Sequence, residues 1–331
     1  MKPTVMPAVV TAVMPTTMTT GPMARMTTGT PTMLTLTMSA AADLLPLVER
    51  VSALSEPSRI HPRVHAIEAA VLDWTRKAGL THDVDVGLHR MAAMAFADAD
   101  TGAAALFGQW LTWVFLLDDE LDEAGGQYPR LFDGHGEHPL ESAFAELWRR
   151  TSAGMSDEWR LRFATNLQRQ QDACRVQSGN RRRGRIPTLS EYPALRRGTV
   201  GPFLYDLVEP CLGVEVPAAV QTGWAWQTMV ESVADVAAWC NDVASLPKER
   251  GDGHNLLVVA AADLRLGERE TLAWALERIA ERCEEMCAAA RRLPLETLDQ
   301  ETARNVSKVA SAYLGAPRAH LDWLLESARY A

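Results

Sequence analysis

From Ala41 to the C-terminus no stretch of this chain sustains the period-two alternation of apolar and polar residues that a half-buried strand requires. Good helix formers fill the segments instead, and Gly and Pro gather between them. That pattern predicts an all-α fold. Helices are expected at 41–54, 62–79, 86–98, 102–122, 139–153, 157–178, 188–211, 217–246, 254–264, 268–293 and 296–327. The breaks between them carry stop signals, among them Pro57, Pro62, Gly79, Pro187, Pro217 and the segment from Gly251 to Gly253. None is long enough to separate two folded units, so 41–331 is expected to form a single domain. A hydrophobic content of 47% suffices to bury a large core.

Residues 1–40 have another composition, rich in Met, Thr and Pro, with Lys2 and Arg25 as the only charges. Pro3, Pro7 and Pro15 interrupt any continuous apolar segment of the kind a secretory signal needs. The composition predicts a disordered tail, and translation from Met33 or Met38 is an equally open reading. No apolar run reaches the roughly 18 residues of a membrane span. A net charge of −9 speaks against a nucleic-acid partner. Five scattered cysteines (Cys174, Cys211, Cys240, Cys283 and Cys287) suggest reduced thiols in the cytoplasm.

Two polar constellations interrupt the helical pattern. The first follows the apolar run from Trp110 to Leu117 directly: Asp118, Asp119, Glu120, Asp122 and Glu123. On a helix Asp118 and Asp122 share one face and repel. A hard divalent cation such as Mg²⁺, which takes carboxylate oxygens and keeps waters or phosphates as further ligands, would remove that cost. A solvated acidic helix end is the competing reading. The second constellation, Asn241, Ser245 and Glu249, is spaced i, i+4, i+8. It aligns an amide oxygen, a hydroxyl and a carboxylate on one stripe, with Lys248 beside them as a charge for a phosphate. Here too a plain polar helix face is possible. Arg181, Arg182, Arg183 and Arg185 read as a solvated basic loop, and the eight histidines, His61, His65, His82, His89, His135, His138, His254 and His320, as surface or capping residues.

Taken together, Asp118-Asp119-Glu120-Leu121-Asp122 and the Asn241, Ser245, Lys248, Glu249 pattern resemble the bacterial class I terpene synthases. Two further segments agree. Arg196-Arg197-Gly198-Thr199-Val200-Gly201 is similar to that family's diphosphate-sensing segment, and Trp323 followed by Arg329-Tyr330 is similar to its C-terminal end. The resemblance covers residues 60 to 331. It implies a helical barrel around a central cavity, with three Mg²⁺ ions held by Asp118, Asp119, Asp122, Asn241, Ser245 and Glu249. It also implies diphosphate donors Arg197 or Arg196, Lys248, Arg329 and Tyr330. Spacing to the triad favours Arg196. Gly201, in the place of the family's effector glycine, favours Arg197, which is the expected sensor. Pro247 falls inside the triad and should bend the helix there.

The implied reaction ionises a prenyl diphosphate and cyclises the carbocation, with farnesyl diphosphate the default among C10, C15 and C20 substrates. Aromatic faces suit a cation wall because their quadrupole attracts positive charge without a lone pair to trap it. Trp113, Phe115, Phe203, Trp239 and Trp323 are the candidates, each with core packing as its alternative role. Trp110, Trp224 and Trp226 are expected to pack. An isoprenyl diphosphate synthase would carry a second Asp-rich motif in place of the Asn/Ser/Glu pattern. A helical binding module that has lost catalysis would not need the intact ligand set. A homodimer is compatible with the resemblance.

Overall fold

A computed structural model describes residues 40–80, 86–123, 138–249 and 252–327, with the side chains of 121–123 outside the description. Residues 1–39 of the tail expected at 1–40 and the pair Arg329-Tyr330 lie outside the described residues. A 3₁₀ turn, Ala40–Leu44, leads into α1 (Leu45–Arg50) and α2 (Ser52–Ser55), followed by α3 (Val64–Lys77), α4 (Leu88–Ala95), α5 (Thr101–Glu123) and α6 (Pro139–Thr151). Next come α7 (Asp157–Arg183), α8 (Tyr192–Thr199), α9 (Phe203–Asp206), α10 (Val208–Leu212) and α11 (Ala218–Gln221). The chain then forms α12 (Trp224–Ser245), α13 (Leu256–Leu264), α14 (Glu268–Ala290) and α15 (Gln300–Glu326). There is no strand among the described residues.

The ends of these helices follow from local chemistry. Ser156 Oγ accepts from Trp159 N at 3.1 Å to open α7, and Asp299 Oδ1 accepts from Glu301 N and Thr302 N, both at 3.0 Å, to open α15. α15 therefore starts at 300 rather than 296, after a short 3₁₀ turn, Leu295–Thr297. Three expected helices are broken or extended. The segment 188–211 splits into α8, α9 and α10 because Gly201 takes a φ of +86° and Pro202 follows it. The segment 217–246 splits at Gly223. α7 runs on to Arg183 and ends at Gly184 in the left-handed conformation, so Arg181 to Arg183 belong to a helix and not to a loop.

The helices close on one another. α5 packs on α4, α4 on α15, α15 on α12, α12 on α8, α8 on α7, α7 on α9, α9 on α10, and α10 returns to α5. α14 lies against the outside of α12, and α3 against α4 and α5. This ring of helices is the barrel expected from the sequence. On α5, Trp110, Trp113 and Leu117 form one fully buried stripe, consistent with i, i+3, i+7 spacing. Trp110 and Trp113 join Phe144, Trp148, Trp159, Phe163 and Phe203 in an aromatic core between α5, α6, α7 and α9. Each indole N–H there that reaches inward is satisfied: Trp110 by Thr151 Oγ1 at 2.8 Å, Trp113 by the Leu140 carbonyl at 2.8 Å and Trp159 by that of Asp206 at 3.0 Å.

The α7–α8 contact sets the rotation of α8, and it depends on Gly198. A Cβ at 198 would stand 2.5 Å from the Cβ of Ala173. Gly198→Ala should therefore destabilise the protein by about 1–3 kcal/mol through overpacking. The double variant Gly198→Ala/Ala173→Gly should recover most of that loss. Urea unfolding midpoints of the three proteins check both statements.

Candidate active site

The acidic end of α5 opens on a pocket of about 110 Å³. Asp118 lines it from α5, Arg181 from the end of α7, Arg196 from α8 and Asn241 from α12, with Glu249 and His254 closing the far side. The two constellations that stand far apart in sequence thus meet around one space. Asp118 is exposed; Asp119 is partly exposed and is not among the residues lining the pocket. Asp122 lies in the same helix, with its side chain outside the description.

Arg196 and Arg197 are adjacent on α8 and so point about 100° apart. Arg196 Nε donates to Asp242 Oδ1 at 2.9 Å, and its Nη2 donates to Asn241 Oδ1 at 3.0 Å. Asp242 is fully buried and also accepts from Tyr192 Oη at 2.5 Å and from Leu256 N at 3.2 Å. Burial pushes the Asp242 carboxyl up against the opposing charge of Arg196. Burial alone would lower Arg196, yet the surrounding negative groups, Asp242 first and then Tyr192 and Glu249, together more than offset it and hold the guanidinium ionised. Arg197 turns away from the pocket. Its Nη1 donates to both oxygens of buried Asp235, at 3.0 and 2.8 Å, and Arg282 binds the same carboxylate at 2.7 Å.

The triad is built where α12 stops. Pro247 has no N–H to continue the helix. Lys248 N and Glu249 N instead both donate to the Ser245 carbonyl, at 2.9 and 3.0 Å, and the resulting turn brings Glu249 to the pocket. Asn255, which caps α13 by accepting from Leu257 N at 3.0 Å, uses its amide to hold this turn. Asn255 Nδ2 donates to the Asp242 carbonyl at 2.7 Å and to Glu249 Oε2 at 3.3 Å. Burial raises the Glu249 pKa, with the charge of Asp242 adding to it. Ser245 Oγ is buried close enough to favour the Glu249 carboxylate, but makes no hydrogen bond of acceptable geometry among the described residues. Lys248 is exposed and is not among the residues lining the pocket.

One end of the run read as a solvated basic loop reaches the pocket rim. Arg181 binds Asp252 Oδ2 through Nε at 3.0 Å and Nη2 at 2.5 Å. Asp252 caps the His254 backbone at 3.0 Å, and the His254 ring meets Asn180 Nδ2 at 3.2 Å. Burial would raise Asp252, but hydrogen bonds from His254 and Arg181 hold it well below the usual carboxylate range. His254 is therefore a buried anchor and not a surface residue, and His61 is buried as well.

Among the aromatic candidates, Trp113 and Phe203 are wholly buried in the aromatic core described above. Phe115 keeps partial exposure and meets Trp323 edge-on, with ring centroids 5.6 Å apart. Trp323 donates its indole N–H to the Val86 carbonyl at 2.7 Å. Trp239 is buried with no partner for its Nε1 among the described residues. Trp224, expected to pack, is 62% exposed under Arg292, whereas Trp110 and Trp226 are buried as expected. Asp242, Asn255 and Tyr192 were not singled out as site residues from sequence, although Asp242 sits directly beside Asn241, and Arg181 reads from sequence only as part of a solvated basic loop.

The pocket's donors suit a hard cation. Among the described residues no three of His, Cys, Asp and Glu gather as a metal cage. The set is instead one of oxygens: Asp118, Asn241 and Glu249 line the pocket, and the buried Ser245 Oγ, which makes no hydrogen bond of acceptable geometry among the described residues, lies close to Glu249. Such a set is too sparse to enclose an ion alone, but it suits one whose remaining ligands are waters and phosphate oxygens.

Comparison with known proteins agrees with this reading. Residues 109–285 match the family described as terpene synthase family 2, C-terminal metal binding. The chain is 31% identical over 300 residues to a (−)-delta-cadinene synthase of Streptomyces clavuligerus, covering 81% of this chain and 91% of that one. It is 27% identical over 299 residues to a farnesyl diphosphate-cyclising (+)-T-muurolol synthase of Roseiflexus castenholzii, covering 82% and 90%. The fold superposes on the germacradien-4-ol synthase of Streptomyces citricolor with a TM-score of 0.72 at 23% identity, over 81% of this chain and 96% of that one. The chain belongs to terpene synthase family 2, the bacterial class I terpene synthases. It is a class I terpene cyclase and depends on a metal.

The buried Arg196–Asp242 pair gives this site its rigidity. Asp242→Ala would leave a buried guanidinium and the Tyr192 hydroxyl without an acceptor, which should cost about 3–5 kcal/mol. Tyr192→Phe, which removes one neutral donor, should cost about 1 kcal/mol. Chemical denaturation of the two variants against the parent checks the ranking.

Proposed function

We propose that the protein cyclises farnesyl diphosphate to a sesquiterpene with three Mg²⁺ ions, held by Asp118, Asp119, Asp122, Asn241, Ser245 and Glu249. The observation that carries this reading is the pocket itself, which gathers Asp118 of α5, Asn241, Glu249 and Arg196 around one space. The relative that cyclises farnesyl diphosphate supports the choice of substrate. Bound at these oxygens, Mg²⁺ supplies positive charge to the leaving diphosphate and makes its departure possible.

The chain's own residues do the rest. Arg196, ionised and fixed by Asp242, presents N–H donors at the point where negative charge develops, a preorganised arrangement worth far more in a dry site than in water. Arg196 is therefore the diphosphate-facing arginine on this reading. Arg197, held by Asp235, keeps α8 seated against α12 and α14. Arg181 stands at the rim as a second cation within reach of an anionic ligand. Phe115 and Trp323 lie behind the acidic end of α5 and offer the developing carbocation an aromatic wall without a basic atom. Among the described residues no helix is long and apolar enough to cross a membrane.

Incubation with geranyl, farnesyl and geranylgeranyl diphosphate, with Mg²⁺ or with chelator, tests the proposal. A cyclic C15 hydrocarbon that forms from farnesyl diphosphate alone and vanishes with chelator is the expected result. Linear diphosphates formed with added isopentenyl diphosphate would replace it with the prenyl-chain-elongating reading. In the same assay Arg196→Ala should lower diphosphate release by about 10²–10³-fold. Arg197→Ala should lose stability and change release by less than about tenfold, since it touches no reacting group. The opposite ranking would return the role to Arg197.

A further inference from the structure

Glu249 stands apart from the rest of the expected ligand set. Asp118, Asp119 and Asp122 belong to α5, and Asn241 and Ser245 to α12, so a regular helix aims each of them. α12 ends at Ser245, and Pro247 brings no N–H to carry it further. A single turn follows, in which Lys248 N and Glu249 N share the Ser245 carbonyl. Helix order alone therefore does not aim the Glu249 carboxylate, although that residue lines the pocket.

The missing constraint comes from the start of α13. Asn255 is 0% exposed, and both amide hydrogens and the amide oxygen are used. Nδ2 donates to the Asp242 carbonyl at 2.7 Å and to Glu249 Oε2 at 3.3 Å, while Oδ1 accepts from Leu257 N at 3.0 Å. Two acceptors at one end and a donor at the other settle which end is nitrogen. The flanking residues are tied down as well. Tyr192 Oη donates to the His254 carbonyl at 3.3 Å, and Leu256 N donates to Asp242 Oδ2 at 3.2 Å. The amide is thus a fixed point beside a carboxylate that lacks a helix of its own. No other side chain meets all three demands. Asp has no donor and would face Glu249 with like charge, Ser has one donor, and Gln reaches one methylene too far.

We propose that Asn255 is a positioning residue for the metal, whose amide holds the Glu249 carboxylate toward the pocket in place of the helix that Pro247 ends; the inference rests on the cyclase reading above. A hydrogen bond to one carboxylate oxygen selects one rotation of the group, and such bonds to ligating carboxylates set metal affinity. Being neutral, the amide orients Glu249 without opposing a cation, as an ammonium or guanidinium would. Asn255 touches neither substrate nor reacting atoms, so its effect runs entirely through Glu249.

The test compares the parent with Asn255→Ser, Glu249→Gln and the double variant. Asn255→Ser keeps a cap for α13 and loses the amide. One readout is the Mg²⁺ concentration that gives half-maximal diphosphate release from farnesyl diphosphate. The other needs no turnover: the rise in melting midpoint as Mg²⁺ is titrated in the presence of inorganic diphosphate. Asn255→Ser should raise the half-saturating Mg²⁺ concentration about tenfold or more in both readouts. The rate at saturating Mg²⁺ should stay within about threefold of the parent. In the Glu249→Gln background the same change should shift the melting titration by less than about twofold, because the carboxylate it acts through is gone. An unchanged Mg²⁺ requirement, with a rate lowered equally at every concentration, would overturn the assignment. So would an equal shift in both backgrounds. Should the serine variant fail to fold, Asn255→Asp, close in shape and still a cap, is read by the same two measurements, and an unchanged Mg²⁺ requirement there overturns the assignment too. Absence of diphosphate release from the parent at any Mg²⁺ concentration would sink the cyclase reading, while the melting titration would still decide the role of Asn255.

Discussion

The buried carboxylate of Asp242 is the constraint on which the site depends. Removing an ion pair from water costs several kcal/mol per ion unless geometry and hydrogen bonds compensate. Compensation here comes from three donors to the carboxylate, with Asn255 securing the backbone of the same residue. Arg196 donates from α8, Tyr192 Oη from the first turn of the same helix, and Leu256 N from the start of α13, while Asn255 ties the Asp242 carbonyl to Glu249. One carboxylate therefore registers α8, α12 and α13 against each other. The same contacts place Arg196 beside Asn241 and bring Glu249 to the pocket. Loss of Arg196 or of Asp242 leaves the other as an uncompensated buried charge, whereas loss of a neutral donor removes one hydrogen bond.

A second registration comes from small residues. Gly198 lets α8 approach α7 to within a distance that no Cβ would permit, and this approach fixes which face of α8 looks inward. With the rotation set, Arg196 meets Asp242 and Arg197 meets Asp235. Both aspartates lie on α12 two turns apart, and both are buried. Two neighbouring arginines thus bind two carboxylates of one helix, yet only the upper pair borders the pocket.

Much of this was legible in the sequence. Helical periodicity and Gly/Pro punctuation located the principal helices, because those signals are local. The spacing of Asp118, Asn241, Ser245 and Glu249 nominated them, and the fold brings Asp118, Asn241 and Glu249 around one pocket. What the sequence left undecided depends on helix rotation. Arg196 and Arg197 differ by about 100° around α8, and no count along the chain says which way the helix is turned. Trp113 and Phe115 lie two residues apart on α5, so one enters the aromatic core while the other keeps surface beside Trp323. His320 read as a surface or capping residue because a lone histidine carries no periodicity of its own. Its environment is made by Trp323 of its own helix and by α12, which is distant in sequence. Gly201-Pro202 is a stop signal of the kind read at the other breaks, yet the expected segment runs through it as one long helix carrying the arginine pair; the positive φ of Gly201 ends α8 there.

The resting hydrogen bonds also bear on the order of events in the proposed reaction. Asn241 Oδ1, the amide oxygen expected to meet a cation, accepts from Arg196 Nη2 at 3.0 Å. An acceptor cannot face a metal ion while a guanidinium N–H occupies the same lone pair and brings a like charge with it. On the proposed reading the exchange is resolved by the diphosphate. Its oxygens offer Arg196 a stronger, charge-assisted acceptor. That change would free Asn241 Oδ1 to hold a cation, with the buried Ser245 Oγ one turn along α12 as a further oxygen. Cation and diphosphate each supply what the other's arrival displaces, so their binding is coupled through one side-chain pair. Asp242 keeps Arg196 from leaving altogether, because Nε stays bonded to Asp242 Oδ1 while Nη2 changes partner. A bidentate guanidinium suits such a step better than an ammonium group, since one edge can hold position while the other is redirected.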